Sequence, residues 1–227
     1  MAILANKWSI SRPHFLVLAV AVLLSQMTSA VPTSDGDLRV VGQSIRSVGN
    51  TPARLDVGIS VNTKVRNKSG TEMEAAFRET EALLIGQRLR GELERNDDWG
   101  VIRLFPEPSV IPQLTIQLSI LASDGRELVV EAVVRAVTGE TMWSSAYRDT
   151  SVNDDYTNDK TDPFADLYVT IVNDIVHSVS SAPIQETYLR TLSSLRYASE
   201  LVPEAFPDYL GREAGLYSVR REPSRED

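Results

Sequence analysis

The sequence predicts an α+β protein: a mixed sheet of about five strands, strand–helix–strand then antiparallel meander, with helices packed on one face. Three observations predict it. Leu114 to Asp149 reads as three successive strands joined by tight turns at Ser123-Asp124-Gly125-Arg126 and Thr138-Gly139-Glu140. A long helix precedes that stretch, opened by the capping box Thr71-Glu72-Met73-Glu74, in which the first and last side chains satisfy each other's backbone donors. A proline-initiated helix follows at Asp162-Pro163, with Asp expected as N-cap and Pro as the first helical residue.

Along the chain, Leu38 to Val41 offers a short strand inside a polar segment. Leu55, Val57, Ile59 and Val61 alternate with small or polar residues, the pattern of a half-buried strand. The long helix carries Met73, Phe77, Leu84, Ile85, Leu89 and Leu93, which are expected close to one face and turned to the sheet. Gly86 and Gly91 weaken it and are expected to permit close packing. Trp99 to Leu104 is a short strand ended by Pro106 and Pro108. This strand–helix–strand unit implies a parallel crossover.

In the meander, Leu114, Ile116, Leu118 and Ile120 alternate with Thr115, Gln117 and Ser119. Such a strand has one buried face. Asp124-Gly125 tolerates the positive φ that a tight hairpin needs. Leu128 to Val137 is apolar enough for a central strand, and Thr141 to Tyr147 closes the meander with Trp143 and Tyr147 on one side. The helix after Asp162 has the stripe Phe164, Leu167, Tyr168, Ile171, Val172 and Ile175. A further helix from Pro183 turns Ile184, Tyr188, Leu192 and Leu195 inward, and Pro203 to Leu210 reads as a short irregular helix.

The domain organisation follows. Residues 1–30 read as an export signal: Lys7 and Arg12 precede the apolar run Phe15 to Leu24, and Thr28-Ser29-Ala30 offers a cleavage site after Ala30. Residues 31–53 are a polar linker, 54–182 the α+β domain, 183–210 a helical appendage and 211–227 a charged, disordered tail. The expected location is periplasmic or secreted, with no integral membrane span once the signal is cleaved. The chain has no cysteine, so no disulfide framework and no lipid anchor of the acylated-cysteine kind are expected. Its net charge is −8, and loss of Lys7 and Arg12 makes the remainder more acidic. Such a surface repels nucleic acid, which is not an expected partner.

Candidate chemistry is sparse. The histidines are His14, inside the signal, and His177, on a helix without an accompanying triad pattern. With no cysteine and one usable histidine, zinc of the usual kinds is not expected. Asn153-Asp154-Asp155, Asn158-Asp159 and Asp162 form an oxygen-rich stretch, but it lacks the glycine and distal glutamate of an EF-hand. Glu72, Glu74, Glu79, Glu81, Glu92, Glu94, Asp97 and Asp98 mostly ride on a helix or its end, where two carboxylates facing across a cleft are not expected. Trp99, Trp143, Tyr147 and Tyr168 could form an aromatic contact patch, although core packing explains them more often. No catalytic, cofactor-binding or metal residue is assigned, and no cofactor is expected.

Three segments carry a resemblance: Arg54-Leu55-Asp56-Val57-Gly58-Ile59, the helix from Ala82 to Glu94, and Ala136-Val137-Thr138-Gly139-Glu140-Thr141-Met142-Trp143-Ser144. In this order they resemble a group of bacterial envelope domains. The group includes the amino-terminal domain of the Tol translocation protein and the curli secretion, penicillin-binding-protein activator and Pel polysaccharide export lipoproteins. The resemblance spans about Leu55 to Val179. It implies a non-enzymatic protein of an envelope assembly, secretion or wall-synthesis system, acting on an envelope protein partner or as a homo-oligomer, through the sheet edge or the last two helices. This chain departs from the group's lipoproteins in lacking the acylated cysteine, and from the Tol protein in having no following β-propeller. The alternatives are a carboxylate-dependent hydrolase and a soluble periplasmic protein binding a small ligand or calcium near Asp154.

Overall fold

The structure is a computed structural model that describes residues 38–42, 54–65, 71–96, 99–105, 111–151 and 162–222. Its main sheet has six strands: β1 (Leu38–Val40), β2 (Val57–Thr63), β3 (Ile102–Phe105), β4 (Leu114–Ser123), β5 (Glu127–Ala136) and β6 (Thr141–Thr150). Their spatial order is β1-β6-β5-β4-β2-β3. The three helices are α1 (Glu72–Glu94), α2 (Ala165–Ser181) and α3 (Glu186–Leu201), and a separate hairpin is made by β7 (Leu210–Glu213) and β8 (Leu216–Val219). The class is α+β, with one strand more than expected in the sheet because Leu38–Val40 pairs parallel with β6.

The alternation in β4 sets the layers. Leu114, Ile116, Leu118 and Ile120 are at most 1% exposed. They lie opposite Ala136, Val134, Ala132 and Val130 of β5, so one face of the central strands is continuous and apolar. Both turns of the meander end as the sequence demands: Gly125 has φ +87° and Gly139 φ +91°, values open to glycine at no steric cost. β2 is parallel to both β3 and β4, the arrangement that the strand–helix–strand pattern implies.

α1 and α2 cover the apolar face. The N-cap of α1 is Thr71, whose hydroxyl accepts from the Glu74 N–H at 3.3 Å. α2 turns Leu167, Ile171, Ile175 and Val179 fully inward. Its first regular residue is Ala165, three later than the expected cap, because Asp162 closes a preceding turn: its carboxylate accepts from the Phe164 N–H at 2.9 Å and its carbonyl from the Ala165 N–H at 3.0 Å.

Four expectations are corrected. First, α1 does not bury all six of its large apolar residues. Ile85, Leu89 and Leu93 are in the core, whereas Met73, Phe77 and Leu84 are exposed. At about 100° per residue the two sets fall on different faces, and only one can meet the sheet. Second, residues 183–210 are not an appendage. Leu189 and Leu192 of α3 join the same core as α1, α2 and the sheet. The Arg190, Ser193 and Arg196 side chains donate to the carbonyls of Arg54, Ile111 and Val137, so α3 closes the sheet end where β2 and β4 begin and β5 ends.

Third, Pro203 to Leu210 is a single 3-10 turn at Pro203–Ala205 followed by the start of β7. Fourth, the expected tail is ordered through residues 210–222 as the β7–β8 hairpin. Its Ala214-Gly215 turn has φ +50° and +84°, the primed conformation that matches strand twist. The Tyr217 N–H donates to Thr138 at 2.8 Å, and the Arg196 guanidinium lies 3.9 Å over the Tyr217 ring. These contacts hold the hairpin against the second meander turn.

The two glycines of α1 behave differently. A Cβ on Gly86 would meet Leu104 at 2.6 Å and Val61 at 3.1 Å, whereas one on Gly91 would meet nothing within 4 Å. Gly91→Ala is therefore expected to stabilise the protein by about 0.5–1 kcal/mol. Gly86→Val should destabilise it by about 1–3 kcal/mol through overpacking. Urea unfolding of the two variants checks the opposite signs.

Candidate contact surface

α1 has 23 residues and is about 34 Å long, while the seven-residue strand β2 beneath it spans only about 23 Å. The C-terminal half of α1 seats on β2 and β3. Its N-terminal half runs on to the tip of the β4–β5 hairpin, where it is tied by polar contacts. Arg78 bonds Glu81 at 2.8 Å, and the Ser123 hydroxyl donates to the same Glu81 carboxylate.

That half carries a row of large apolar side chains in solvent: Met73 is 83% exposed, Phe77 61%, Leu83 56% and Leu84 52%. Isolated exposed apolar residues are ordinary, but four on one side of a helix within twelve residues form a patch of the kind that marks interaction sites. A recess lies on each side of the row. One, of about 600 Å³, runs between α1 and β2–β3, with Val61, Ala82, Leu83, Leu104 and Phe105 as its apolar lining. The other, of about 410 Å³, lies between α1 and α2 beside Leu84, Leu128, Phe164 and Tyr168. The Arg88–Asp162 ion pair, 2.9 Å, forms part of its lining.

The residues singled out in the sequence are dispersed. His177 is exposed on α2. Among the described residues no group of three or more His, Cys, Asp or Glu is placed to hold a metal. Asn153 to Asp159 lie outside the described residues, as do Asp97, Asp98, the signal and most of the 31–53 linker. The remaining member of the oxygen-rich stretch, Asp162, is committed to Arg88 and to the turn before α2. The acids on α1 are spread around the helix: Glu81 pairs with Arg78, Glu92 with Arg95 and Glu94 with Arg90. No described helix is long and apolar enough to cross a membrane.

The aromatic residues do not make a contact patch. Trp99, Tyr147 and Tyr168 are buried, and Trp143 packs against Tyr147 with ring centroids 6.2 Å apart. The Tyr147 hydroxyl donates to Asp174 of α2 at 2.7 Å, and Arg39 of β1 pairs with the same carboxylate. This knot fastens the edge strand, β6 and α2 together. The row on α1 is hard to see in the sequence, because Met73, Phe77 and Leu84 are as apolar as the core residues of the same helix. A helical projection separates them from Ile85, Leu89 and Leu93 at about 100° per residue and would have found it.

No family model matches the chain, and no curated protein matches it in sequence. Among solved structures, a variant of the PelC dodecamer from Paraburkholderia phytofirmans is similar with TM-score 0.37 and 10% identity, over 63% of this chain and 98% of that one. A hypothetical protein from Chlamydia trachomatis is similar with TM-score 0.33 and 12% identity, over 56% of this chain and 99% of that one. A neuraminyllactose-binding hemagglutinin homolog from Helicobacter pylori gives TM-score 0.29 and 13% identity, over 68% and 98%. The likeness is partial, and it decides neither partner nor activity.

Two outcomes are expected from these placements. Phe77→Glu and Leu84→Glu should leave stability within about 0.5 kcal/mol of the parent, whereas Leu89→Ala should cost about 2–5 kcal/mol, as read by thermal and urea unfolding. Burial, and then the Asp174 carboxylate, hold the Tyr147 phenol well above its ordinary range, and burial followed by Asp162 does the same for Tyr168. Above about pH 10 the unfolded phenols ionise while the folded ones keep their protons. The native state then binds more protons, so stability is full below that pH and falls as pH rises beyond it. Unfolding titrations should show a shallower alkaline loss in Tyr147→Phe and Tyr168→Phe.

Proposed function

We propose that this protein works outside the cytoplasm as a non-enzymatic interaction domain in a bacterial envelope assembly, secretion or wall-synthesis system. The observation that carries the reading is the exposed apolar row Met73, Phe77, Leu83 and Leu84 on α1. Fully burying a side chain of this size is worth about 1.5–3 kcal/mol, so a partner covering the row gains most of what a hot spot needs. The export signal in residues 1–30 and the resemblance over Leu55 to Val179 support the envelope setting. For the hydrolase alternative, Glu81, Glu92 and Glu94 are already engaged in the ion pairs described above.

Site-specific photo-cross-linking in cells tests this. A photoreactive residue at Phe77 should give discrete adducts that mass spectrometry identifies as envelope proteins or as the chain itself, and one at exposed Arg212 should not. Absence of adducts at Phe77 would contradict the proposal, as would glycan hydrolysis by the purified protein that disappears when an acidic pair is removed.

A further inference from the structure

The exposed row on α1 is uncharged over three turns: Met73, Ala76, Phe77, Thr80, Leu83 and Leu84 all lie on the outward face. We propose that its occupant is the same row on a second copy of the chain, the two α1 helices packing antiparallel about a two-fold axis near Thr80 and Glu81. The inference rests on the row being a contact surface, and it does not depend on the envelope setting.

Charge argues for this partner. On one flank of the row, α1 has Glu72 in its first turn, the exposed Glu79 partway along and Arg90 near its far end. On the other flank it has Glu74, Arg88 and, between them on the axis, Glu81, whose charge Arg78 and the Ser123 hydroxyl already take up within each copy. In an antiparallel pair, residues on the same flank of the two helices meet, at positions equally distant from the axis. With the axis beside residue 81, Glu72 of each copy meets Arg90 of the other, and Glu74 meets Arg88. One register thus satisfies two different pairs, and symmetry doubles them. It also brings Phe77 of each copy within one residue of Leu84 of the other.

A parallel pair would set acid against acid along the first turn. The helix dipole alone accounts for Glu72 and Glu74, but not for the uncharged row beside them or for the matching arginines. Arg88 and Arg90 already bridge Asp162 and Glu94 at 2.9 Å and 2.7 Å. Their side chains are 52% and 39% exposed; the Arg90–Glu94 bridge, exposed on both sides, exchanges partners at little cost, and the turn before α2 also holds Asp162 when Arg88 turns away. The recess of about 600 Å³ alongside Leu83 can take the partner's ridge, as ridge-into-groove packing requires. An anionic lipid surface is a poorer occupant, because the acids at the first turn would face it. The patch is small for an interface, so a dimer with a dissociation constant of about micromolar order is expected.

Sedimentation velocity on the protein without its signal, from about 1 to about 300 µM, reads this directly. The expected result is a monomer–dimer equilibrium that Phe77→Glu weakens more than about 100-fold with unchanged thermal unfolding. Glu72→Arg should weaken it about fivefold, and combining it with Arg90→Glu should restore it. A monomer throughout the range overturns self-association, as does an oligomer indifferent to Phe77→Glu. Failure of the charge swap to restore the dimer overturns the antiparallel register. A monomer that still gives Phe77-dependent adducts with another protein in cells overturns the dimer and keeps the contact reading. A monomer without adducts overturns both.

Discussion

The alternation along β4 is the constraint on which the other elements depend. Leu114, Ile116, Leu118 and Ile120 sit at the centre of the sheet and are essentially without exposure. Because side chains alternate strictly, a slip of one residue would present Thr115, Gln117 and Ser119 to the helices instead. Only one face can therefore accept helices, and each helix must bring a single apolar stripe to it. α2 does so along its whole length. α1 brings Ile85, Leu89 and Leu93, and Gly86 lets it come close to Val61 and Leu104. What remains apolar on α1 has no place in that layer.

Polar interactions sit at the seams between elements. Asp174 receives both Tyr147 and Arg39, joining α2 to β6 and β1. Glu81 gathers Arg78 and Ser123 where α1 meets the hairpin tip. On the sheet face opposite α1 and α2, Glu131 is 5% exposed and its carboxylate meets Lys64 at 2.8 Å. α3 spends Arg190, Ser193 and Arg196 on three backbone carbonyls at one end of the sheet. Unpaired carbonyls there would be costly once covered, so these side chains are structural fastenings.

Much of the fold was legible in the sequence because its signals are local. The β4 alternation, the Asp124-Gly125 and Gly139 turns and the Thr71 cap each declare themselves within a few residues. The β7–β8 hairpin did not, since charged residues surround it and its order comes from Tyr217 meeting Arg196 and Thr138, which are distant in sequence. Membership of α3 in the core was hidden for the same reason. The exposed row on α1 is less legible, because Met73, Phe77 and Leu84 are as apolar as core residues and only their angular positions separate them from Ile85, Leu89 and Leu93. The buried Tyr147 gives no clue to partner contact, because packing and its hydrogen bond to Asp174 account for it.

The central claim is that α1 has two apolar stripes with different tasks, one holding the sheet and one holding a second copy. Hydrogen–deuterium exchange resolved along α1, compared in dilute and concentrated protein, tests it most directly. The account predicts that amides from Ile85 to Leu93 exchange slowly at both concentrations, while those from Met73 to Leu84 exchange faster when dilute and become protected when concentrated. Equal protection of both halves at every concentration would contradict it, as would protection on concentration that appears elsewhere and leaves Met73 to Leu84 unchanged.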